Sequence, residues 1–209
     1  MLTEKIFTVA HLADQVVLWI LLVLSVLSIG MILERFFALR KVAAESAKVR
    51  SRIKNALQSN SLEEVEELAK NHESIEGRAA SYALKHMRES GTRGLEEIFN
   101  TFALTERPEL ERFLGFLATV GSNAPYIGLF GTVLGIMKAF NDLATAPEAG
   151  QQTVMAGISM ALVATAAGLF VAIPAVAFYN YYSKQVKSIY QNLESVKELS
   201  LAYAKKKGV

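Results

Sequence analysis

The stretch from Gly157 to Tyr179 reads GISMALVATAAGLFVAIPAVAFY, and none of its 23 residues carries a charge. At about 1.5 Å per residue, a helix of this length spans the roughly 30 Å hydrocarbon core of a bilayer, so the stretch predicts a transmembrane helix. Small and hydroxyl-bearing residues recur along one stripe of that helix: Ala161, Thr165, Gly168, Ala172 and Ala175. Such a stripe lets another helix approach closely, so we expect this face to pack against protein.

Two further apolar runs have the length of a span. Residues 16–33 are interrupted only by small polar side chains, and residues 113–137 carry no charge. The sequence therefore predicts three transmembrane helices, at 16–33, 113–138 and 155–180. The first run also has features of a signal peptide. However, Lys5 is the only basic residue before it and no clear cleavage site follows, so we interpret it as a permanent span.

The distribution of lysine and arginine predicts the orientation. One basic residue precedes the first span and none occurs at 139–154, whereas 34–112 holds fourteen and 181–209 holds six. The positive-inside rule then places residues 1–15 and the short loop 139–154 in the periplasm, and 34–112 and 181–209 in the cytoplasm. We expect 181–209 to be a helix whose basic end contacts anionic membrane lipid.

The sequence of 34–112 predicts solvated helices and not a separate enzyme domain. Its first part, 35–57, continues the first span with helix-forming residues, and residues 74–90 form another helical segment. Between them, Ser61 and Glu64 have the spacing of a capping box. The region is short and shows no strand pattern. We therefore expect an all-α fold in which it forms a stalk or basket continuous with the membrane helices, without a second core.

The second span carries its own stripe of small residues. They recur at spacings of four and three, which places them on one helix face: Gly121, Pro125, Gly128, Thr132, Gly135 and Ala139. Gly131 adds a GxxxG pair with Gly135, and Pro174 places a proline in the third span. Both stripes predict buried surfaces that face other protein segments. Pro108 is expected near the start of the helix that becomes the second span.

These features also have plain structural interpretations. Thr132 and Thr165 can each bond the carbonyl four residues earlier, as membrane threonines often do. The glycine stripe can serve helix packing alone, without any pathway beside it. Ser122 and Asn123 can do no more than relieve the helix break at Pro125.

The sequence offers no pattern for catalysis or for metal binding. It contains no cysteine, its three histidines are scattered without ligand spacing, and no span holds a Ser/His or paired-Asp arrangement. We therefore expect no enzymatic activity, no cofactor, no metal site and no nucleic-acid partner.

Two long strings make a family resemblance visible. They are APYIGLFGTVLGIM in the second span and ALVATAAGLFVAIPAV in the third. These strings resemble the signature of the ExbB/TolQ family within the MotA/TolQ/ExbB proton channel superfamily, and more distantly that of MotA-type flagellar stators. The similarity is dense over residues 119–180, roughly a third of the chain, and elsewhere it rests on topology.

The resemblance implies an ion-gradient-driven motor subunit of the inner membrane. Family members assemble as homopentamers whose second and third spans enclose single-span ExbD- or TolR-like partners, each bearing a membrane aspartate. The partner passes motion to TonB or TolA for work at the outer membrane, such as nutrient import or envelope maintenance. Thr132 and Thr165 match the family's hydroxyl positions in GTV and ATA, and their implied role is to line the ion path.

One departure from the family pattern affects the choice of ion. Where the family usually reads GIAEAL, this chain reads GISMAL, so Met160 replaces a glutamate and no span contains a carboxylate. A proton then requires a carboxylate from the partner, whereas the hydroxyls could equally coordinate sodium. A flagellar-type stator or a passive scaffold stays open as an alternative. The residues separate neither ExbB from TolQ nor the outer-membrane processes that each energises.

Overall fold

The computed structural model describes residues 2–59, 63–145 and 150–207. Within these ranges the chain forms six helices and no strand: α1 (Leu2–Ser59), α2 (Glu64–Ala69), α3 (Ile75–Ser90), α4 (Leu95–Leu110), α5 (Leu114–Thr145) and α6 (Gly150–Lys207). This architecture confirms the all-α prediction, including the continuation of the first apolar run into a long helix.

The chain divides into two compact units. We call Met1–Leu33 with Phe113–Asn180 the apolar unit, and Glu34–Arg112 with Tyr181–Val209 the charged unit. The residues of α1 and α6 contribute to both units, whereas α5 belongs to the apolar unit and α2 to α4 belong to the charged unit. The positions of the bilayer surfaces along these helices stay a prediction.

The apolar unit is built from three helices, α1, α5 and α6, each of which contains a stretch long and apolar enough to cross a membrane. Together they bury one set of small and branched side chains: Val17, Leu21, Val120, Ala124, Val171, Ala172 and Ala175. Many large apolar side chains, such as Trp19 and Phe170, stay exposed. Such a surface suits lipid or further protein chains, because it requires no water.

The charged unit has a hydrophobic core of its own, which corrects the expectation of a stalk without a second core. Buried side chains from α1, α2, α3, α4 and α6 meet in it, among them Val49, Leu68, Ala83, Phe99 and Val196. Each short helix is amphipathic and too small to bury its apolar face alone. The long helices α1 and α6 supply the missing partner surface from distant parts of the chain.

Helix boundaries in the charged unit follow local capping chemistry. Ser74 caps α3, because its Oγ accepts from the backbone N–H of Gly77 at 3.0 Å. Gly91 and Gly94 have positive φ values of 72° and 79°, which glycine adopts easily; the first ends α3 and the second precedes α4. The capping box predicted at Ser61 lies outside the described residues.

Pro108 lies in the last turn of α4 and not at the start of the second span, so that expectation was wrong. The helix ends just after it, where the N–H of Glu111 donates to the carbonyl of Arg107 at 3.0 Å. Phe113 then adopts a positive φ of 63°, which redirects the chain before α5 begins at Leu114. A left-handed residue interrupts helical hydrogen bonding, so the stop depends on Phe113 and not on the proline.

The connection predicted at 139–154 is mostly helical. Helix α5 continues to Thr145, whose hydroxyl donates to the carbonyl of Asn141 at 3.0 Å, and α6 begins at Gly150. Residues 146–149 lie outside the described residues. The helices therefore extend beyond the limits that hydropathy alone assigns to the second and third spans.

Candidate functional site

The two threonines singled out by sequence contact each other inside the apolar unit. The hydroxyls of Thr132 on α5 and Thr165 on α6 are hydrogen-bonded partners. Thr132 Oγ1 also lies 3.2 Å from the carbonyl oxygen of Gly128 and 3.1 Å from that of Ala161. Thr165 Oγ1 lies 3.4 Å from the same Gly128 oxygen. Four oxygen atoms from two helices therefore form one cluster.

This oxygen cluster has fewer protons than contacts. Each hydroxyl carries one donor hydrogen, and each carbonyl only accepts, so two hydrogens serve the four contacts among these atoms. The oxygens consequently retain lone pairs that can accept from another donor or bind a hard cation. Thr132 is only 8% exposed and Thr165 is half-buried, so the cluster is reached from the Thr165 side.

The close approach of α5 and α6 beside this cluster depends on glycine. A methyl group added at Gly128 would lie 2.6 Å from the carbonyl oxygen of Ala164 and 3.1 Å from the Cα atom of Gly168. A methyl group added at Gly168 would lie 2.6 Å from the carbonyl oxygen of Ala124. The two distances of 2.6 Å are too short for a Cβ atom, so the two backbones contact each other directly.

The other small residues surround the same contact. Gly121 faces Val176, and Gly131 faces Val17 of α1 and Ala164 of α6. The remaining predicted packing positions are buried or half-buried: Gly135, Ala161 and Ala172 are buried, and Pro125 and Pro174 are half-buried.

A polar surface patch lies on the exposed side of α5. Thr119, Ser122, Asn123 and Tyr126 are all exposed there, and we call them the α5 polar patch. Asn123 Nδ2 donates to the Thr119 carbonyl at 2.8 Å, and Ser122 Oγ donates to the same oxygen at 3.1 Å. Pro125 would free the carbonyl of Gly121 instead, so these bonds do not relieve the proline break as the plain interpretation supposed.

The sequence on either side of the two threonines contains no acid, because residues 113–141 and 149–193 include neither aspartate nor glutamate. Met160 occupies the position at which the family pattern usually has a glutamate, and its side chain is 68% exposed on α6. Among the described residues, no group of three potential metal-ligating side chains occurs either.

The family of the chain is established by comparison with known proteins. Residues 71–195, which include the oxygen cluster and both glycine stripes, match the model of the MotA/TolQ/ExbB proton channel family. The chain belongs to this family. As a member, it is a multi-pass inner-membrane protein of a proton-channel family that energises other processes.

Three relatives in this family illustrate the extent of the similarity. The Tol-Pal system protein TolQ of Haemophilus influenzae is 36% identical over 90% of this chain and 86% of its own length. TolQ of Pseudomonas aeruginosa is 60% identical over 37% of this chain, a match that spans 34% of that protein. The biopolymer transport protein ExbB of Pseudomonas putida is 37% identical over 66% of this chain and 45% of its own length.

Sequence reasoning missed two parts of the site. The carbonyl oxygens of Gly128 and Ala161 join the hydroxyls, although both residues were predicted only for packing. Gly157, which was not singled out, meets α5 closely, because a methyl group there would lie 2.7 Å from the Cβ atom of Ala139. The spacing of Gly157, Ala161, Ala164 and Gly168 on one helix face was the available signal.

Proposed function

We propose that the chain is the multi-span subunit of a proton-driven inner-membrane motor of the ExbB/TolQ type. In this proposal, five copies enclose the single spans of an ExbD- or TolR-like partner that carries a membrane aspartate. Ions passing between the chains move the partner, and the motion reaches a TonB- or TolA-like transducer. The function served is either nutrient import or maintenance of the envelope.

The observation that carries this proposal is the oxygen cluster of Thr132 and Thr165. Polar groups in a membrane interior are costly unless they are paired, and these four oxygens keep unused acceptor capacity. A protonated carboxylate from a partner helix would supply the missing donor. After deprotonation, the same carboxylate would accept from the hydroxyls, so the cluster suits both states of a proton carrier.

The absence of an acid from the spans makes the partner necessary. A bare proton at the bilayer centre costs several kcal/mol, and a hydroxyl is a poor proton acceptor at neutral pH. One elementary charge crossing about 100 mV releases roughly 2.3 kcal/mol, so a force-bearing step needs several ions. A ring of identical subunits with repeated threonine pairs meets this requirement.

The α5 polar patch supports assembly into such a ring. An exposed asparagine and three exposed hydroxyl groups are unfavourable against lipid, so protein or water suits this side of α5 better. The distribution of lysine and arginine supports an orientation with the charged unit in the cytoplasm.

Reconstitution of the chain with its single-span partner in liposomes tests the function. We expect partner-dependent proton flux to fall by about tenfold or more in Thr132→Val and Thr165→Val, which corresponds to about 1.4 kcal/mol or more of barrier. Thr132→Ser keeps the hydroxyl and should retain flux. Thr105→Val is the matched control, because Thr105 makes the same type of bond, to the carbonyl of Thr101, in the charged unit.

The outcomes separate the alternatives. Flux at the wild-type rate in both valine variants would overturn the role of the threonines. A complex that assembles with its partner but never conducts ions would indicate a passive scaffold. Replacing the proton gradient with a sodium gradient determines which ion drives the complex.

A further inference from the structure

A buried carboxyl group lies in the charged unit. Glu76, in the first turn of α3, is 0% exposed. Its Oε1 accepts a hydrogen bond from the hydroxyl of Ser46 on α1. Its Oε2 is buried and has no hydrogen-bond partner in the described part of the chain. A lone carboxylate in this environment is costly, whereas a carboxylic acid is tolerated.

A chain of hydrogen bonds connects Glu76 with the surface of the unit. Asn192 Nδ2 on α6 donates to Ser46 Oγ at 2.8 Å and to the Ser46 carbonyl at 3.1 Å. The exposed Arg50 donates from Nε to Asn192 Oδ1 at 3.3 Å and from Nη2 to Ser188 Oγ at 3.1 Å. Arg50 therefore donates to Asn192, Asn192 donates to Ser46, and Ser46 donates to the carboxyl group of Glu76.

A small cavity runs beside this chain of hydrogen bonds. It has a volume of about 100 Å³, and its lining includes Ser46, Arg50, Gln185, Ser188 and Asn192. Such a volume holds at least one water molecule where the walls are polar. The buried Oε1 of Gln185 faces no partner within the described residues, so it offers an acceptor for that water. The cavity therefore reaches Ser46, the residue whose hydroxyl contacts Glu76.

We propose that Glu76 is a proton-binding site of the charged unit, loaded from solvent through this cavity and the Ser46 hydroxyl. In the loading step, a hydronium ion in the cavity gives a proton to Ser46 Oγ while Ser46 gives its own proton to Glu76 Oε1. The carboxylate becomes a carboxylic acid, water is left behind, and Ser46 keeps one hydrogen. The carboxylic acid then donates to Ser46 Oγ, so the hydrogen bond reverses direction.

The surrounding charges are consistent with a neutral acid. Burial raises the pKa of Glu76, and the opposing effects, among which the hydrogen bond from Ser46 is the largest and the Arg78 charge is another, offset only part of this rise. Arg50 reaches the network through Asn192. The other charged side chains of this part of α1 are paired elsewhere: Lys41 with Glu73, and Glu45 with Lys48.

The raised pKa of Glu76 determines how the stability of the protein changes with pH. Because the folded pKa of Glu76 lies above its unfolded value, its contribution to stability is complete below the unfolded pKa. The contribution is lost as the pH rises through the folded pKa. Glu76→Gln, which cannot ionise, should remove this loss. In the orientation that we propose, the site takes its proton from the cytoplasm.

Infrared spectroscopy of the purified full chain, without its partner, tests the proposal. No span of this chain contains a carboxylate, so a protonated-carboxyl band at about neutral pH can only come from outside the spans. We expect the band in the wild type and its loss in Glu76→Gln. Glu89→Gln, an exposed position on the same helix, should retain the band. A missing band, or one that survives in Glu76→Gln, would overturn the proposal.

Two further measurements test the route and the linkage. Ser46→Ala should slow hydrogen–deuterium exchange of the carboxyl band, and unchanged exchange would overturn the route through the hydroxyl. Thermal unfolding from about pH 5 to about pH 9 should show a fall that Glu76→Gln lacks and Glu89→Gln keeps. Identical pH dependence in all three proteins would contradict the linkage. These readouts use no ion flux, so their failure leaves the motor proposal intact.

Discussion

Gly128 and Gly168 bring the backbones of α5 and α6 into direct contact, since a methyl group on either residue would lie 3.1 Å from the Cα atom of the other. This contact holds Thr132 and Thr165 close enough for their hydroxyls to bond. The neighbouring atoms are backbone atoms, which cannot move aside as a flexible side chain can. The oxygen cluster therefore depends on two positions that have no side chain.

Gly128→Ala should destabilise the apolar unit. Overpacking of this kind costs about 1–3 kcal/mol, because the helices have to separate to admit the methyl group. Gly115→Ala on the same helix is the matched control, since no atom from another part of the chain lies within 4 Å of the methyl group that it adds. Thermal unfolding in detergent should give a lower midpoint for Gly128→Ala alone. Equal midpoints would contradict the close approach.

Arg35 of the charged unit connects α1 with the end of α4. Its side chain is 2% exposed, and Nη1 donates to the Glu109 carbonyl at 2.7 Å while Nε donates to Glu34 Oε2 at 2.5 Å. Arg35→Met should lower the free energy of unfolding by about 1–3 kcal/mol, because it removes the hydrogen bonds that this buried side chain donates to the Glu109 carbonyl and to Glu34. Arg40→Met, at an exposed position, should have little effect in the same denaturation experiment.

The same substitution should change the response to acid. The hydrogen bond from Arg35 is the main reason that the pKa of Glu34 lies below its ordinary value. Glu34 therefore contributes stability above its unfolded pKa and loses it as the pH falls through the folded pKa. Arg35→Met should reduce this acid-dependent part of the unfolding curve. Because Glu34 is partly exposed, we expect the change to be small.

The sequence predicted the spans and the small-residue faces because both depend on local periodicity. The uncharged length and the spacing of Gly121, Gly128 and Gly135 are visible without any partner. The pairing of Thr132 with Thr165 depends on how two helices cross, and periodicity within one helix does not determine this. The family resemblance had associated these two residues, and the structure brings their hydroxyls together.

The core of the charged unit was missed for a related reason. Val49 and Ile53 of α1 meet Leu193 and Val196 of α6, about 140 residues later in the chain. Each segment alone appears as a solvated amphipathic helix. Long-range packing therefore decided this part of the fold. The end of α4 was missed because Phe113, a residue type that rarely takes positive φ, provides the stop.

Tyr190 of the charged unit should respond to alkaline pH. Burial, followed by the charge of Glu111, raises the pKa of Tyr190 to about 12. The phenol hydroxyl is buried and lacks a hydrogen-bond partner within the described ranges. Because the folded pKa exceeds the unfolded one, stability should fall as the pH rises from about 10 through that value.

Tyr190→Phe removes both the ionisation and the unpaired hydroxyl. We expect it to raise the free energy of unfolding by about 1 kcal/mol near neutral pH and to flatten the alkaline limb. Tyr82→Phe, at an exposed tyrosine of α3, serves as the control and should leave the curve as it is. A lower stability of Tyr190→Phe would mean that its hydroxyl has a partner after all.

Met160 offers a test of which carboxyl group carries the proton in the proposed function. The side chain is exposed on α6, and the string GISMAL places it where the resemblance associates a glutamate. In the wild type, the pH profile of partner-dependent flux should reflect the partner's carboxylate, because the spans hold none. Met160→Glu should add a second inflection, because it introduces a second titratable carboxyl group beside that of the partner. Met160→Gln is the control, because glutamine has nearly the shape of glutamate but does not ionise. A second inflection in both variants, or in neither, would show that the introduced carboxyl group does not take part in the flux.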